Sequence, residues 1–181
     1  MVQIPSIYKN GGKMAKRYLI SDMHFGHSNI IKYENRPFSD ALEMDAAIVH
    51  NWNSIVKADD LVYVLGDVSF YPKEKTLQIT NQLNGRKLLI LGNHDLGRSE
   101  TFWIDAGFTF VSKYPICLDE FYWLSHEPMF LTEAMPYVNI HGHIHSKTMS
   151  TNTKPNQYVN VSVEHLNYTP VNFETIKKTF T

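Results

Sequence analysis

Three short apolar runs limit the fold of this chain more than any other feature of its sequence. RYLIS (17–21), LVYVL (61–65) and LLIL (88–91) are continuous apolar runs, whereas a strand with one wet face alternates apolar and polar residues. Segments with helical periodicity lie between them, around residues 40–56 and 73–83. Continuous runs suit parallel strands that helices cover on both faces. The sequence therefore predicts an α/β fold.

The second half of the chain is richer in strands than the first. Four further segments have strand character: FTFVSKYPICL (108–118), FYWLS (121–125), YVNIH (137–141) and QYVNVSV (157–163). The chain then ends in a predicted helix with Thr169 as its cap and Pro170 in its first position. Ser39 is the predicted cap of the helix near residue 40. Together these elements predict an α/β sandwich with a mixed, rather than purely parallel, β-sheet.

The length and composition predict one domain in a reducing compartment. We expect residues 1–13 of the 181 to form a polar, flexible leader and residues 14–181 to fold as a single domain. No apolar run approaches the length needed to cross a bilayer, and the amino terminus lacks the apolar core of a signal peptide. Cys117 is the only cysteine, which excludes an internal disulfide. We therefore expect a cytoplasmic protein without membrane contacts.

Polar side chains of the kinds that bind metals follow five of the predicted strands. They are Asp22 and His24, Asp67, Asn93 with His94 and Asp95, His126, and finally His143 and His145. Strand ends are where the loops of an α/β protein converge on a site. Carboxylate, imidazole and amide groups together suit a pair of divalent cations, and paired ions are a known means of hydrolysing phosphoesters. With a formal net charge of −1, the chain itself offers little positive charge to a phosphate.

These motifs, in this order over residues 22–145, resemble the five motifs of the calcineurin-like metallophosphoesterases, in the compact single-domain form of bacteria and phages. The resemblance implies a sandwich of mixed β-sheets flanked by helices, in four layers α/β/β/α. It also implies two divalent metal ions, with manganese expected and iron, zinc, nickel or cobalt as alternatives. The implied ligands are Asp22, His24 and His145 for the first metal, Asn93, His126 and His143 for the second, and Asp67 for both.

The same resemblance implies a mechanism. A hydroxide between the metals would attack the phosphorus of a phosphomonoester or phosphodiester, and His94 would protonate the leaving oxygen. Large protein phosphatases of this superfamily carry an additional Asp and Arg after the Gly-Asp motif, where this chain has Val68-Ser69-Phe70-Tyr71. That difference disfavours phosphoprotein substrates, and a small molecule or a nucleotide is expected instead. It also leaves Asp95, the neighbour of His94, as the expected orienting partner of the acid.

Several alternatives stay open at this level. His27 either contacts the substrate phosphate or caps the helix near Ser28, and Arg36 and Arg98 are candidates for the missing phosphate contact. A non-catalytic metal-binding scaffold for a protein partner is a second function, and a nuclease acting on nucleic-acid ends is a third. The near-neutral charge counts against tight binding of nucleic acid without excluding it. The oligomeric state is not indicated.

Overall fold

A computed structural model describes residues 15–149 and 157–180 of the chain. The expected leader, residues 1–13, lies outside the described residues. The helices of the described part are α1 (Ser28–Tyr33), α2 (Ala41–Ile55), α3 (Lys73–Thr80), α4 (Glu100–Asp105) and α5 (Phe173–Lys177). Within those two ranges, no helix is both long enough and apolar enough to cross a membrane.

The strands form two sheets. The first contains β1 (Arg17–Ile20), β2 (Leu61–Val64), β3 (Arg86–Ile90), β4 (Phe108–Ser112) and β9 (Val171–Asn172), in the spatial order β4-β3-β2-β1-β9. The second contains β5 (Ile116–Leu118), β6 (Tyr122–Leu124), β7 (Val138–His141) and β8 (Tyr158–Asn160), in chain order. Strands β1 to β4 are parallel and β9 is antiparallel, whereas β5 is the antiparallel strand of the second sheet. The prediction of an α/β fold with mixed sheets flanked by helices is confirmed.

Strand β1 shows why its sequence is apolar throughout. Tyr18 and Ile20 pack into a core that also contains Trp52 of α2, whereas Leu19, between them, packs into a second core with Leu124 of the other sheet. Successive side chains of a strand point to opposite faces, so a strand in the middle of this sandwich must be apolar on both. The continuous runs are therefore the consequence of a sheet that lies between helices and another sheet.

One predicted strand is two strands in different sheets. The segment 108–118 is interrupted after Ser112, whose hydroxyl accepts a hydrogen bond from the amide of Tyr114 and donates one to its carbonyl oxygen. Pro115 follows and has no amide hydrogen for a ladder. The local turn thus ends β4 in the first sheet and lets β5 begin in the second.

The predicted helix caps are also corrected. Asp40, not Ser39, caps α2, because its carboxylate accepts from the amides of Leu42 and Glu43 at 2.9 Å each. At the carboxyl terminus of the chain, Asn172 caps α5 in place of Thr169, because residues 171–172 pair with β1 before the helix begins. In both cases the carbonyl or carboxylate oxygen of an Asx side chain satisfies the free amides of the first helical turn.

The two sheets bring their polar strand ends to one place. Ser21, directly after β1, forms a parallel bridge with Ser162, which lies two residues beyond β8. The amide of Gly142, at the end of β7, donates to the carbonyl of His126, beyond the end of β6, at 2.9 Å. The loops that follow β1, β2, β3, β6 and β7 therefore meet at one edge of the sandwich.

Candidate metal centre

The seven residues expected to bind metal lie in one cluster at this edge. Groups of ligand atoms within 4.8 Å of one another are formed by Asp22 with His24 and His145, and by Asp22 with Asp67 and His126. Asn93 and His143 join the cluster through contacts with His126. The structure thus brings together side chains that are up to 123 residues apart in the sequence, from Asp22 to His145.

The backbone of this cluster is strained. Five of the residues, Asp22, His24, Asp67, His143 and His145, have φ values between 50° and 69°, in the left-handed region. Residues other than glycine rarely adopt this conformation, and each such residue costs about 1–3 kcal/mol. Strain of this kind persists only where the surrounding structure imposes it, and it is concentrated in functional sites.

Two glycines allow the loops to approach each other. A Cβ atom at Gly142 would lie 2.6 Å from the Cβ of Ser21 and would overlap the carboxylate of Asp22. A Cβ atom at Gly92 would lie 2.6 Å from the amide nitrogen of Asp67 and would overlap its carboxylate. Only glycine fits at either position without displacing a carboxylate of the cluster.

Asp22 has one satisfied and one unsatisfied carboxylate oxygen. Its Oδ2 accepts from the amide of His143 at 2.9 Å and from the hydroxyl of Ser162 at 2.8 Å. Its Oδ1 is buried and has no hydrogen-bond partner among the described residues. This oxygen lies 4.0 Å from Nε2 of His24 and 4.0 Å from Nε2 of His145. A buried carboxylate oxygen left in this way is costly unless a cation compensates it.

The ring of His145 directs a lone pair toward that oxygen. Its Nδ1 lies 3.1 Å from Oε1 of Glu164, and because a carboxylate can only accept, Nδ1 carries the proton. In the neutral form of the ring, Nε2 then has a free lone pair facing Asp22. Nε2 of His24 is likewise buried and has no hydrogen-bond partner within the described part of the chain.

A second group of lone pairs converges between His126, Asn93 and His143. Nδ1 of His126 lies 2.7 Å from the carbonyl oxygen of Leu65, which can only accept, so Nε2 of the neutral ring is unprotonated. That Nε2 lies 2.9 Å from Oδ1 of Asn93, and Nδ1 of His143 lies 3.0 Å from the same oxygen. The lone pairs of the His126 nitrogen and the Asn93 oxygen therefore face each other, and a cation between them would stabilise both.

Asp67 lies between the two groups. Its Oδ2 is 3.4 Å from Nε2 of His24 and 3.6 Å from Nε2 of His126, and its Oδ1 accepts from the amide of His94 at 3.0 Å. Burial raises the pKa of this carboxyl, but the adjacent His24 and His126 rings and the His94 amide outweigh it and bring the pKa to about 2. Asp67 is therefore ionised at neutral pH and faces both groups of lone pairs.

This donor set fits a pair of divalent cations. Carboxylate oxygens, imidazole nitrogens and one amide oxygen are ligands that suit manganese, iron and zinc, and Asp67 lies within 3.6 Å of an imidazole nitrogen from each of the two groups.

Comparison with known proteins agrees with this geometry. The sequence model of the calcineurin-like phosphoesterases matches residues 15–175. The chain belongs to this family. Calcineurin-like phosphoesterases are in general phosphoester hydrolases that typically bind two divalent metals, as the donor set here would allow.

The names of the individual relatives do not state an activity. An uncharacterized protein of Methanocaldococcus jannaschii is 38% identical over 177 residues, which is 91% of this chain and 91% of that protein. The Gene 66 protein of Mycobacterium phage L5 is 36% identical over 85 residues, or 45% of this chain and 41% of the phage protein. A solved protein of unknown function from Aquifex aeolicus has a TM-score of 0.69 and 26% identity, and the match covers 91% of this chain and 99% of that one.

In this calcineurin-like phosphoesterase, His94 and Asp95 occupy different environments. The His94 side chain is 47% exposed, and its Nε2 lies 3.9 Å from Oδ2 of Asp67. Asp95 is fully buried, and its carboxylate accepts from the amides of Asp67 at 2.7 Å, Gly92 at 2.9 Å and Val68 at 3.1 Å. The structure therefore places Asp95 beneath the loops, where it fixes their backbone, and not against the His94 ring as an orienting partner.

The two arginines expected near the substrate have other partners. Arg36 is buried, and its guanidinium donates to Glu164 and to backbone carbonyls. Arg98 donates to the carbonyl of Tyr71 at 2.6 Å and lies over the ring of Phe102, 4.6 Å from its centroid. The buried position of Arg36 counts against a contact between its guanidinium and the substrate phosphate. Arg98 is only partly buried, so its contact with the phosphate stays a prediction.

His27 lies beside the candidate metal centre. Its ring is half-buried and stacks on Phe70, with centroids 4.1 Å apart and planes at 10°. It also stacks on His24 at 5.5 Å. As the residue before α1 it makes no side-chain capping bond, so the capping alternative is not supported.

Two residues of the phosphoesterase centre were missed by sequence reasoning. Ser162 holds Asp22, and Glu164 holds His145. Ser162 lies near the end of the predicted strand segment QYVNVSV (157–163) and Glu164 directly follows it, whereas the observed strand already ends at Asn160, so the rule that polar residues collect after strands applies to both. They were passed over because neither serine nor a single glutamate is a conspicuous metal-binding signal.

Proposed function

We propose that this protein is a dinuclear metal-dependent phosphoesterase that hydrolyses a phosphomonoester or phosphodiester of a small molecule or a nucleotide. The observation that carries the proposal is the convergence of six potential metal-binding side chains around the ionised carboxylate of Asp67, with His94 beside it. Asp22, His24 and His145 would hold one ion, Asn93, His126 and His143 would hold the other, and Asp67 would contact both. We propose manganese as the metal and the cytoplasm as the compartment, since the only cysteine favours reducing conditions.

When bound, two such ions supply an activated water for attack on phosphorus and neutralise charge on the phosphoryl oxygens. The chain's own groups do the rest. Asp67 stays ionised, and its carboxylate keeps the two ligand groups adjacent. His94 is half-exposed beside Asp67, so Nε2 of its ring can reach an entering substrate and donate a proton to the leaving oxygen.

The rim of the site favours a substrate with a planar organic group. Phe70 occupies the region where large protein phosphatases carry an arginine, and it is 37% exposed with its ring 4.9 Å from that of His94. Asn93 and His126 also line a groove of about 340 Å³ together with Leu96 and Met129. A groove of this size accepts a small organic substituent. These surfaces support aryl or nucleoside phosphoesters as substrates.

The proposal is tested by metal-dependent hydrolysis. Protein stripped with EDTA is expected to be inactive on bis(p-nitrophenyl) phosphate and to regain activity when Mn²⁺ is added. The panel of substrates tested should include nucleotides, cyclic nucleotides and 5′-phosphorylated oligonucleotides. A His50→Asn variant serves as a control, because His50 is exposed on α2. Tight Mn²⁺ binding without hydrolysis of any member would contradict the proposal and favour a non-catalytic scaffold. Cleavage confined to oligonucleotides would favour the nuclease.

Phe70 gives a separate prediction about substrate choice. Phe70→Leu keeps an apolar side chain but removes the aromatic face, and stacking on a base is worth about 1–3 kcal/mol. Nucleoside monophosphates are therefore expected to inhibit the variant more weakly than the wild type, whereas inhibition by inorganic phosphate stays the same. Phe121→Leu is the matched control, because Phe121 is exposed and lies next to the Arg17–Asp119 ion pair at the opposite end of β1. Equal loss of nucleotide and phosphate binding would contradict the prediction.

A further inference from the structure

We propose that Glu164 is a positioning residue for the metal centre: it fixes the ring orientation and the proton of His145, and through Arg36 it joins His145 to the loop that carries Asp22 and His24. The inference rests on the proposed function, because it concerns the first metal position, but its test does not depend on turnover.

A single carboxylate oxygen of Glu164 accepts hydrogen bonds from three nitrogen donors. Oε1 lies 3.1 Å from Nδ1 of His145, 3.0 Å from Nε of Arg36 and 2.6 Å from Nη2 of Arg36. The side chain of Glu164 is only 6% exposed and that of Arg36 is fully buried. An ion pair buried to this degree is screened little by water, so the carboxylate is held in a defined place.

The same guanidinium holds the first metal-binding loop. Nη2 of Arg36 donates to the carbonyl oxygen of Asp22 at 2.8 Å, and Nη1 donates to that of Met23 at 3.1 Å. These carbonyls belong to the strained turn in which Asp22 and His24 have positive φ values. One buried pair therefore connects the Asp22 loop, the His145 loop and the short 3₁₀ turn Val163–His165 in which Glu164 lies.

The connection determines which nitrogen of His145 is available. With Glu164 accepting from Nδ1–H, the free lone pair is on Nε2 and faces the unpartnered Oδ1 of Asp22. Without that acceptor the His145 ring can carry its proton on Nε2 or rotate. Metal binding must then remove the proton from Nε2 or turn the ring back. Losing such a partner typically weakens metal binding by about 10–100-fold. Asn93, His126 and His143 have no described contact with Glu164, so the second position should be spared.

Two substitutions separate the hydrogen bond from the charge. Glu164→Gln keeps an oxygen that accepts from Nδ1 of His145, and Glu164→Leu removes the acceptor with a similar volume. We expect Glu164→Leu to weaken one of two Mn²⁺ sites by about 10–100-fold, and we expect Glu164→Gln to retain affinity close to that of the wild type. Glu174→Leu is the matched control, because Glu174 also pairs with an arginine, Arg17, but at the opposite end of β1.

The measurements are calorimetric titration with Mn²⁺ and nitrogen NMR of histidine-labelled, metal-free protein, which reports the tautomer of His145. The wild type and Glu164→Gln should show the proton on Nδ1, and Glu164→Leu should show a mixture or the proton on Nε2. If Glu164→Leu does not fold, Glu164→Asp keeps the charge beside Arg36, withdraws the carboxylate by one methylene, and is expected to shift the tautomer in the same direction.

Three results would overturn the inference. One is a folded Glu164→Leu protein with an unchanged His145 tautomer and unchanged affinities. Another is equal weakening of both Mn²⁺ sites, which would indicate general destabilisation. The third is a further Mn²⁺ held by Glu34, His145 and Glu164, whose ligand atoms lie within 4.8 Å of one another. Absence of hydrolysis, in contrast, would contradict the proposed function while leaving the tautomer and the affinities to decide the role of Glu164.

Discussion

Replacing Asp67 with asparagine is expected to lower turnover by about 10³-fold or more. Among residues 15–149 and 157–180, Asp67 is the one carboxylate whose oxygen lies within 3.6 Å of imidazole nitrogens from both ligand groups, His24 on one side and His126 on the other. Asparagine keeps the size of the side chain and an oxygen for the amide of His94. It removes the negative charge, which a pKa of about 2 otherwise maintains at neutral pH.

The measurement is kcat on a generic aryl phosphodiester with saturating Mn²⁺, together with Mn²⁺ stoichiometry. The Asp67→Asn protein should fold normally, show much weaker binding at both metal positions and lose nearly all turnover. Asp59→Asn is a suitable control, because Asp59 is an exposed residue before β2 and outside the cluster. A variant that retained most of its turnover would show that Asp67 is not the shared ligand.

The second large effect is expected at His94. His94→Asn should lower kcat by about 10²–10⁴-fold, the usual contribution of a general acid, while both Mn²⁺ affinities stay near those of the wild type. The Mn²⁺ affinities should persist because Nε2 of His94 lies 3.9 Å from Oδ2 of Asp67, farther than the nitrogens of His24 and His126. About half of the His94 side chain also faces solvent. The backbone amide of residue 94 can still donate to Asp67 after the substitution.

A comparison of leaving groups sharpens that prediction. A nitrophenolate leaves readily without a proton, whereas an alkoxide requires one, so loss of the acid should harm alkyl esters far more than nitrophenyl esters. If His94→Asn lowered both rates by the same factor, the ring would act in positioning or substrate binding and not as the proton donor. If Mn²⁺ binding were lost as well, His94 would belong to the ligand set.

Much of the fold and of the candidate site follows from local sequence. Runs such as RYLIS and LVYVL are apolar because both faces of the first sheet are buried, and Asp22 and Asp67 follow them because loops after strands can reach a common edge. The order and spacing of the polar motifs then indicated the family, which the comparison confirmed. The assignment of each ligand to a particular metal stays a prediction.

The stretch NIHGHIHS (139–146) shows the limit of predicting side-chain directions from residue alternation. Alternation alone would place His141, His143 and His145 on one face of a strand, but the predicted strand YVNIH ends at His141; β7 ends there as well, and His143 and His145 have φ values of 69° and 50°. His141 remains buried in the sheet with its Nδ1 2.9 Å from the carbonyl oxygen of Gly142. A left-handed turn, which nothing in a two-residue periodicity reveals, divides the histidines between two sets of partners.

Partners distant in sequence account for the remaining errors. Arg36 was expected at the substrate because it lies near a site loop, but its carboxylate partner, Glu164, is 128 residues away. Asp95 was expected to orient His94 because the two are adjacent, but its carboxylate turns to three backbone amides. Proximity along the chain places a residue near a site without indicating which groups its side chain will meet.

The most direct test of the proposed dinuclear centre is the electron paramagnetic resonance spectrum of the protein titrated with Mn²⁺. Two ions that share the carboxylate of Asp67 should be magnetically coupled, so the spectrum of the loaded wild type should show a spin-coupled pair at two Mn²⁺ per chain, and Asp67→Asn should abolish it. A six-line spectrum of isolated Mn²⁺ that saturates at one ion per chain would contradict the account.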